Sequence, residues 1–300
     1  MPIATLSSGL EIAWEEFPGN GPPILLIMGL GAQMLWWPTP FCEQLAARGF
    51  RVIRFDNRDV GLSSRLRHLE PPPWRLLAKG ALLGRRIDAP YTLDDMAEDT
   101  LGLLDHLGLE RAHLVGASMG GMIAQTVCLQ APARVSSLTS IMSTTGNPKV
   151  SQPSKRALLA ILRRPGDSRE AAMQSSVRVW SAIGSRTIPQ DENGIRDIAG
   201  RCYDRGPTGV GFLRQVGAIY ASGDRTRRLA TLKTPTLVIH GAQDPLMPVS
   251  AGRATARAIP GAKLLILPEM GHDFPKPYWP EMLDTIAAHI RESQGEPEHA

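Results

Sequence analysis

Six short aliphatic runs punctuate this chain: "PILLIMG", "FRVIRFD", "AHLVGAS", "VSSLTSIMS", "TPTLVIHG" and "AKLLILPE". Each is bounded by Gly, Pro, Asp or Ser, as buried strands are. Near-continuous aliphatic runs, without strict in-and-out alternation, suit parallel strands covered on both faces. An earlier run, "LEIAWEEF", reads as an edge strand. Between the runs lie segments of helical period: Trp37 to Arg48, Leu93 to Leu107, Met119 to Gln130, Ser250 to Ala258 and Trp279 to Ile290. Strands alternating with helices predict an α/β architecture, a mainly parallel central sheet flanked by helices on both sides.

The alternation breaks between Gly146 and Leu232. This stretch has helix-like pieces but no convincing strand, and its "GNPKVSQPS", "RRPGDS" and "IPQDENG" are turn signals. The expected organisation is therefore a core of residues 1–145 and 233–300 with a helical cap inserted at 146–232. A second irregular stretch, Trp74 to Ile87, is apolar and basic; it reads as a packed surface segment, a lid flap or a membrane-surface helix. The polar end "RESQGEPEHA" is expected to fray.

Composition narrows the function classes. A length of 300 residues suits one large domain with an insertion, or two modest domains. The formal charge of +4 is mild, and no basic run or recognised motif marks a nucleic-acid surface. Three cysteines, Cys42, Cys128 and Cys202, stand far apart and match neither a disulfide framework nor zinc spacing. Reduced thiols predict a cytoplasmic location. The first residues lack a basic start followed by an apolar stretch, so no signal peptide is expected. The longest apolar run, "ILLIMGLGAQMLWW", is glycine-broken and too short to span a bilayer. The partner expected is a small molecule, with monomer and homodimer both open.

The stretch "VGASMGGM" carries the chemistry. Ser118 falls between a strand candidate and a helix candidate, in the pattern Gly116-x-Ser118-x-Gly120. Such an elbow lifts a serine hydroxyl above a sheet; the glycines relieve the crowding of a sharp, strained turn. Alone, the pattern arises by chance in glycine-bearing turns, and its strand-to-helix setting gives it weight. A nucleophilic serine needs a base, and the base a group that orients it. Asp244, in "VIHGAQDPLMP", and His272, in "LPEMGHDFP", each follow a strand candidate and stand in the order serine, acid, histidine. Asp224 and Asp273 are the rival acids. His106 and His289 fall in helices, His68 in a loop, His299 in the tail, and His113 and His240 at strand ends. Asp94, Asp95 and Asp99 sit early in a helix, where acids complement the dipole.

An oxyanion hole needs two backbone N–H groups. The expected donors are Met119, after the nucleophile, and Leu30, in the glycine-flanked loop "MGLGA". A rival reading of that loop is dinucleotide binding, with Gly29-x-Gly31 after a strand and Asp56 ending the next. Met34 at the third glycine position and the early Pro38 argue against it.

The segments "ILLIMGLGAQMLWWP", "FRVIRFDNRDVGLSS", "YTLDDMAEDTLGLLDHLGLERAHLVGASMGGMIAQ", "TPTLVIHGAQDP" and "MGH" together resemble the α/β-hydrolase-fold serine esterases, in particular the aclacinomycin methylesterase branch. The resemblance implies Ser118 as nucleophile, Asp244 as acid, His272 as base, and Leu30 and Met119 as oxyanion donors. It also implies a cap between core strands, and no metal or organic cofactor. The expected activity is hydrolysis of a carboxylic ester, whether an apolar ester, a methyl ester or a lactone. Carbon–carbon bond hydrolysis and cofactor-free perhydrolysis use the same triad, and a ligand receptor can share the fold. Two departures stand out. Met28-Gly29-Leu30 replaces the usual His-Gly-x, which removes a polar hydrogen bond behind the oxyanion loop. Arg58-Asp59 replaces the frequent Arg-Gly.

Overall fold

In a computed structural model, the described residues are 1–84, 86–163 and 166–295. The strands are β1 (Ile3–Thr5), β2 (Glu11–Phe17), β3 (Pro23–Ile27), β4 (Arg51–Phe55), β5 (Ala112–Ala117), β6 (Val135–Ile141), β7 (Thr236–Gly241) and β8 (Lys263–Leu267). They form one sheet in the order β1-β2-β4-β3-β5-β6-β7-β8. The β1–β2 and β2–β4 pairs are antiparallel; from β4 through β8 every pair is parallel. The expected parallel core is therefore present, with an antiparallel edge. Only the three-residue β1 lay outside the sequence reading, being too short to show a period.

Helices cover both faces. They are α1 (Thr39–Ala47), α2 (Trp74–Leu83), α3 (Leu93–His106), α4 (Met119–Gln130), α5 (Lys155–Leu162), α6 (Arg169–Ile183), α7 (Glu192–Asp204), α8 (Gly211–Ser222), α9 (Thr226–Leu229), α10 (Val249–Ala258) and α11 (Trp279–Ser293). The β3 side chains explain why its sequence is continuously aliphatic. Leu25 and Ile27 join a core with α3 and α4, including Met96, Leu103, Met122 and Ile123. Ile24 and Leu26 point to the opposite core with α1 and α11, including Phe41, Leu45, Met282 and Ile286. With period two and both faces dry, every position is apolar. Each such side chain contributes roughly 1.5–3 kcal/mol by burial.

The helix ends follow local chemistry. Thr92 caps α3, accepting from the backbone N–H groups of Asp94 and Asp95, while Asp95 returns a bond to the Thr92 N–H. The α1 helix begins later than expected because Trp37 precedes Pro38, which disfavours helical backbone there: Trp37 is extended after a short 3-10 turn at Met34–Trp36, and Pro38 is the N-cap. Between β6 and β7 the described residues form five helices, α5 to α9, and no strand. Of the turn at "RRPGDS", Arg164 and Pro165 lie outside the described residues, as does Arg85 in the Trp74–Ile87 stretch. Within that stretch α2 lies against α8, Gly80 beside the Tyr220 ring, and Trp74 is exposed. Of the tail, residues 296–300, with His299, are outside the described residues; its first residues, through Ser293, belong to α11.

The α7–α8 region is tied to the sheet by buried charge. Arg214 makes a bidentate pair with Asp59, at 2.8 and 2.6 Å, both side chains being almost fully buried. Tyr91 Oη donates to the same carboxylate at 2.8 Å. Burial works against ionisation of Asp59, but bonds from Arg214 and Tyr91 hold its carboxyl below the ordinary range. Asp59 also adopts a left-handed φ of 71°, a conformation that favours glycine. The Asp that replaces the frequent glycine thus keeps the turn and adds an anion to hold Arg214. A second buried pair, Arg58–Asp99, fastens the same loop to α3 at 2.5 and 2.7 Å.

Removing one partner leaves a buried, unpaired charge. Arg214→Met is expected to cost about 3–5 kcal/mol in urea unfolding. A loss under about 1 kcal/mol would mean the pair does not hold α8 to the sheet.

Candidate active site

Three loops and one tight turn lie at the carboxyl edge of the sheet. The loops follow β3, β7 and β8 and carry Leu30, Asp244 and His272; the turn follows β5 and carries Ser118. Open α/β sheets build their sites at this edge because the strands end there and the loops diverge.

Ser118 joins β5 directly to α4 with φ 55° and ψ −120°, a strained conformation for a non-glycine residue. Its backbone is clamped on both sides. The Ser118 N–H donates to the Ile141 carbonyl at 2.9 Å, and the Ser118 carbonyl accepts from Gly121 N–H and from Ser143 Oγ at 2.7 Å. Crowding makes the glycines obligatory. A Cβ on Gly116 would stand 2.2 Å from the Gly120 carbonyl oxygen, and one on Gly120 would stand 2.0 Å from that of Ile27. Both obstacles are backbone and cannot yield.

The hydroxyl so raised meets His272. Ser118 Oγ lies 3.0 Å from His272 Nε2, and His272 Nδ1 lies 2.7 Å from Asp244 Oδ2. A carboxylate only accepts, so Nδ1 carries the imidazole proton and Nε2 is free to accept from serine. The other oxygen of Asp244 accepts from the N–H groups of Leu246 and Met247, at 2.9 and 2.8 Å. The carboxylate is fully buried and cannot rotate away without stranding those donors.

The rivals have other employment. Asp273 accepts from Ser185, at 3.0 Å from its N–H and 2.7 Å from its Oγ, and burial raises its pKa. Asp224 is exposed and caps its own turn through Thr226. His113 pairs with Ser137 at 2.8 Å. His240 Nε2 donates to the Met247 carbonyl at 2.7 Å, and burial lowers its pKa, keeping it neutral behind Asp244. Asp56, the acid of the dinucleotide alternative, accepts from Met34 N–H, Leu62 N–H and Arg205, leaving it no role toward a ribose.

The loop after β3 reaches the serine. A Cβ on Gly29 would come within 3.1 Å of Ser118 Cβ, so only glycine fits comfortably there. Met119 opens α4, where the first N–H groups have no intrahelical acceptor. Among the described residues, neither the Leu30 nor the Met119 N–H has an acceptor within the protein. Asn57 Nδ2 donates to the Met28 carbonyl at 2.9 Å. The polar bond that Met28-Gly29-Leu30 was expected to lack is thus supplied from the neighbouring strand end. Sequence reasoning missed Asn57, because a single amide in "FDNRDV" has no recognisable spacing to Met28.

The histidine loop is also held from outside the core. His272 N–H donates to the Ile183 carbonyl at 2.8 Å, and Gly271 N–H to Ser185 Oγ at 3.0 Å. Among the described residues, no group of three or more His, Cys, Asp or Glu is arranged to hold a metal ion. No helix among them is long and apolar enough to cross a membrane. A surface cleft of about 370 Å³ opens between Arg65–Pro71 and Pro207–Gly211, apart from the serine, histidine and aspartate.

A parallel sheet with a serine elbow after β5, an acid after β7 and a histidine after β8 is the architecture of an α/β hydrolase. Residues 22–275 match the family described as the alpha/beta hydrolase fold, and the chain belongs to that family. Among individual proteins it is similar to rhodomycin D methylesterase of Streptomyces peucetius, with 29% identity over 97% of this chain and 99% of that protein. Its identity to rhodomycin D methylesterase of Streptomyces sp. strain C5 is 30%, over the same shares. The enol-lactonase of Burkholderia xenovorans shares the fold, with a TM-score of 0.70, 23% identity, and coverage of 98% of this chain and 100% of that one. The methylesterase resemblance seen in the sequence motifs therefore extends over nearly the whole chain.

The elbow's crowding is testable. Gly120→Ala is expected to destabilise by at least the upper end of roughly 1–3 kcal/mol, since the new methyl meets rigid backbone. Gly102→Ala, in α3, would meet only the flexible Leu6 side chain at 3.3 Å and serves as the control. Equal thermal unfolding of both variants would contradict the reading.

Proposed function

We propose that the protein is a serine hydrolase that cleaves carboxylic esters through an acyl-enzyme on Ser118. One observation carries the reading: the continuous relay from Ser118 Oγ to His272 Nε2 at 3.0 Å and from His272 Nδ1 to Asp244 Oδ2 at 2.7 Å. In the first half-reaction His272 Nε2 takes the serine proton as Oγ attacks the ester carbonyl carbon. The carbonyl π pair moves to oxygen, where the N–H groups of Leu30 and Met119 receive the negative charge. Each donor is worth roughly 3 kcal/mol in the transition state. Collapse of the tetrahedral adduct expels the alcohol, which leaves with the proton held by His272. In the second half-reaction His272 deprotonates water, which attacks the acyl carbon; collapse of the second adduct breaks the acyl–Oγ bond, Ser118 Oγ takes back the proton held by His272, and the acid is released. Asp244 holds the imidazole in the required tautomer and balances its transient positive charge.

Similarity to two methylesterases over nearly the full chain supports the ester reading. An apolar carboxylic ester, a methyl ester or a lactone is the reading preferred over carbon–carbon cleavage. The helices within 146–232 act as a cap, and their Ile183 and Ser185 hold the histidine loop. A reducing, cytoplasmic setting fits Cys42 and Cys128, whose thiols burial pushes up to about 12, so neither is poised for oxidation.

A fluorophosphonate tests the serine. It is expected to label the native protein once, at Ser118. Ser118→Ala is expected to abolish labelling and to lower kcat on p-nitrophenyl esters by on the order of 10⁶. Unchanged turnover in that variant would sink the proposal.

A further inference from the structure

The loop that carries Leu30 is not held by the core alone. Its polar groups have the following partners. The Met28 carbonyl accepts from Asn57, and the Gly29 carbonyl accepts from the Ala32 N–H within the loop's own turn. Both polar groups of Gly31 go to the segment between β6 and β7. Gly31 N–H donates to Gln215 Oε1 at 2.8 Å, and the Gly31 carbonyl accepts from Thr208 Oγ1 at 2.9 Å. The left-handed φ of 67° at Gly31 fits a chain bent toward those partners.

Gln215 itself has no freedom. It is fully buried on α8, and its Nε2 donates to the Arg58 carbonyl at 2.8 Å. The amide orientation is therefore determined: its oxygen faces an N–H and its nitrogen faces a carbonyl. Arg58 is in turn fixed to Asp99, and the neighbouring Arg214 to Asp59. One buried amide thus ties α8, the loop after β4 and the loop after β3.

The consequence concerns Leu30. The loop passes the serine elbow at Gly29 and turns at Gly31 toward Phe212 of α8, with the Leu30 amide between them. Gln215 draws the Gly31 N–H toward α8 and fixes the Leu30–Gly31 peptide; the Leu30 N–H lies in the preceding Gly29–Leu30 peptide, whose carbonyl the Ala32 N–H holds, so the two bonds pin the planes on either side of the Leu30 Cα and leave the Leu30 N–H as the unpaired donor. Preorganised donors stabilise a developing anion because they need not reorient when the charge appears. We infer that Gln215 is a positioning residue for the oxyanion hole: a side chain of the inserted helices that sets the direction of the Leu30 donor without touching substrate. This inference rests on the acyl-transfer reading above.

The test compares two variants in the full-length protein with a p-nitrophenyl ester. Gln215→Leu keeps the volume and removes both bonds. It is expected to lower kcat roughly 10- to 100-fold, the scale of a small misplacement of catalytic groups, with KM within about threefold. Gln215→Glu keeps the Gly31 acceptor. Protonated, it also donates to the Arg58 carbonyl and so restores the native pattern; ionised, it sets a carboxylate against that carbonyl. Its kcat relative to the native protein is therefore expected to rise as pH falls from 9 toward 6, whereas the Gln215→Leu ratio stays flat. The Glu variant carries the test should the Leu variant fail to fold. A Gln215→Leu kcat within twofold of native, a loss confined to KM, or a flat Gln215→Glu ratio overturns the inference. Should Ser118→Ala also remain active, the acyl-transfer reading falls instead; with Ser118→Ala inactive, only the role of Gln215 falls.

Discussion

The site depends on one crowded turn. Ser118 passes from β5 to α4 with no intervening loop, in a left-handed conformation that costs of order 1–3 kcal/mol. Three neighbours enforce it. The Ile141 carbonyl holds the serine N–H, Ser143 holds its carbonyl, and the backbone of Ile27 fills the space at Gly120. Because β3, β5 and β6 are adjacent in the sheet, the strain is set by strand pairing rather than by flexible contacts. The same geometry brings Gly29 against Ser118.

Much of this was legible in sequence because it follows from short-range rules. Buried parallel strands need unbroken aliphatic runs, so β3 to β8 could be read directly, and Gly116, Ser118 and Gly120 mark their own turn. Asp244 and His272 were readable because each follows such a run. What could not be read depends on residues far apart in the chain. Asn57 holds Met28 across neighbouring strands, and Gln215 holds Gly31 from 184 positions away. A lone amide has no period and no motif. The paths of α5 to α9 were likewise unreadable, since short helices over a sheet edge are placed by tertiary contact rather than by their own pattern.

Charge joins the inserted helices to the core. Arg205 reaches Asp56, Arg214 reaches Asp59, and both acids lie at the start of the loop after β4. Burial would push these carboxyls toward the neutral form. The guanidiniums oppose that push, and at Asp59 they prevail. Pairs of this kind add little net stability, but they specify one arrangement because every other leaves a buried charge unpaired. At this position the specified arrangement includes the loop of Leu30, which joins the inserted helices to the proposed chemistry.

The central claim is that Ser118 forms a covalent bond with the acyl group. Mixing the protein with an excess of a p-nitrophenyl ester, quenching in acid within milliseconds and measuring intact and peptide masses tests it most directly. The account predicts one added acyl mass, on the peptide that contains Ser118, and none in Ser118→Ala. Turnover with no acyl adduct at any time, or an adduct on a different residue, would contradict it.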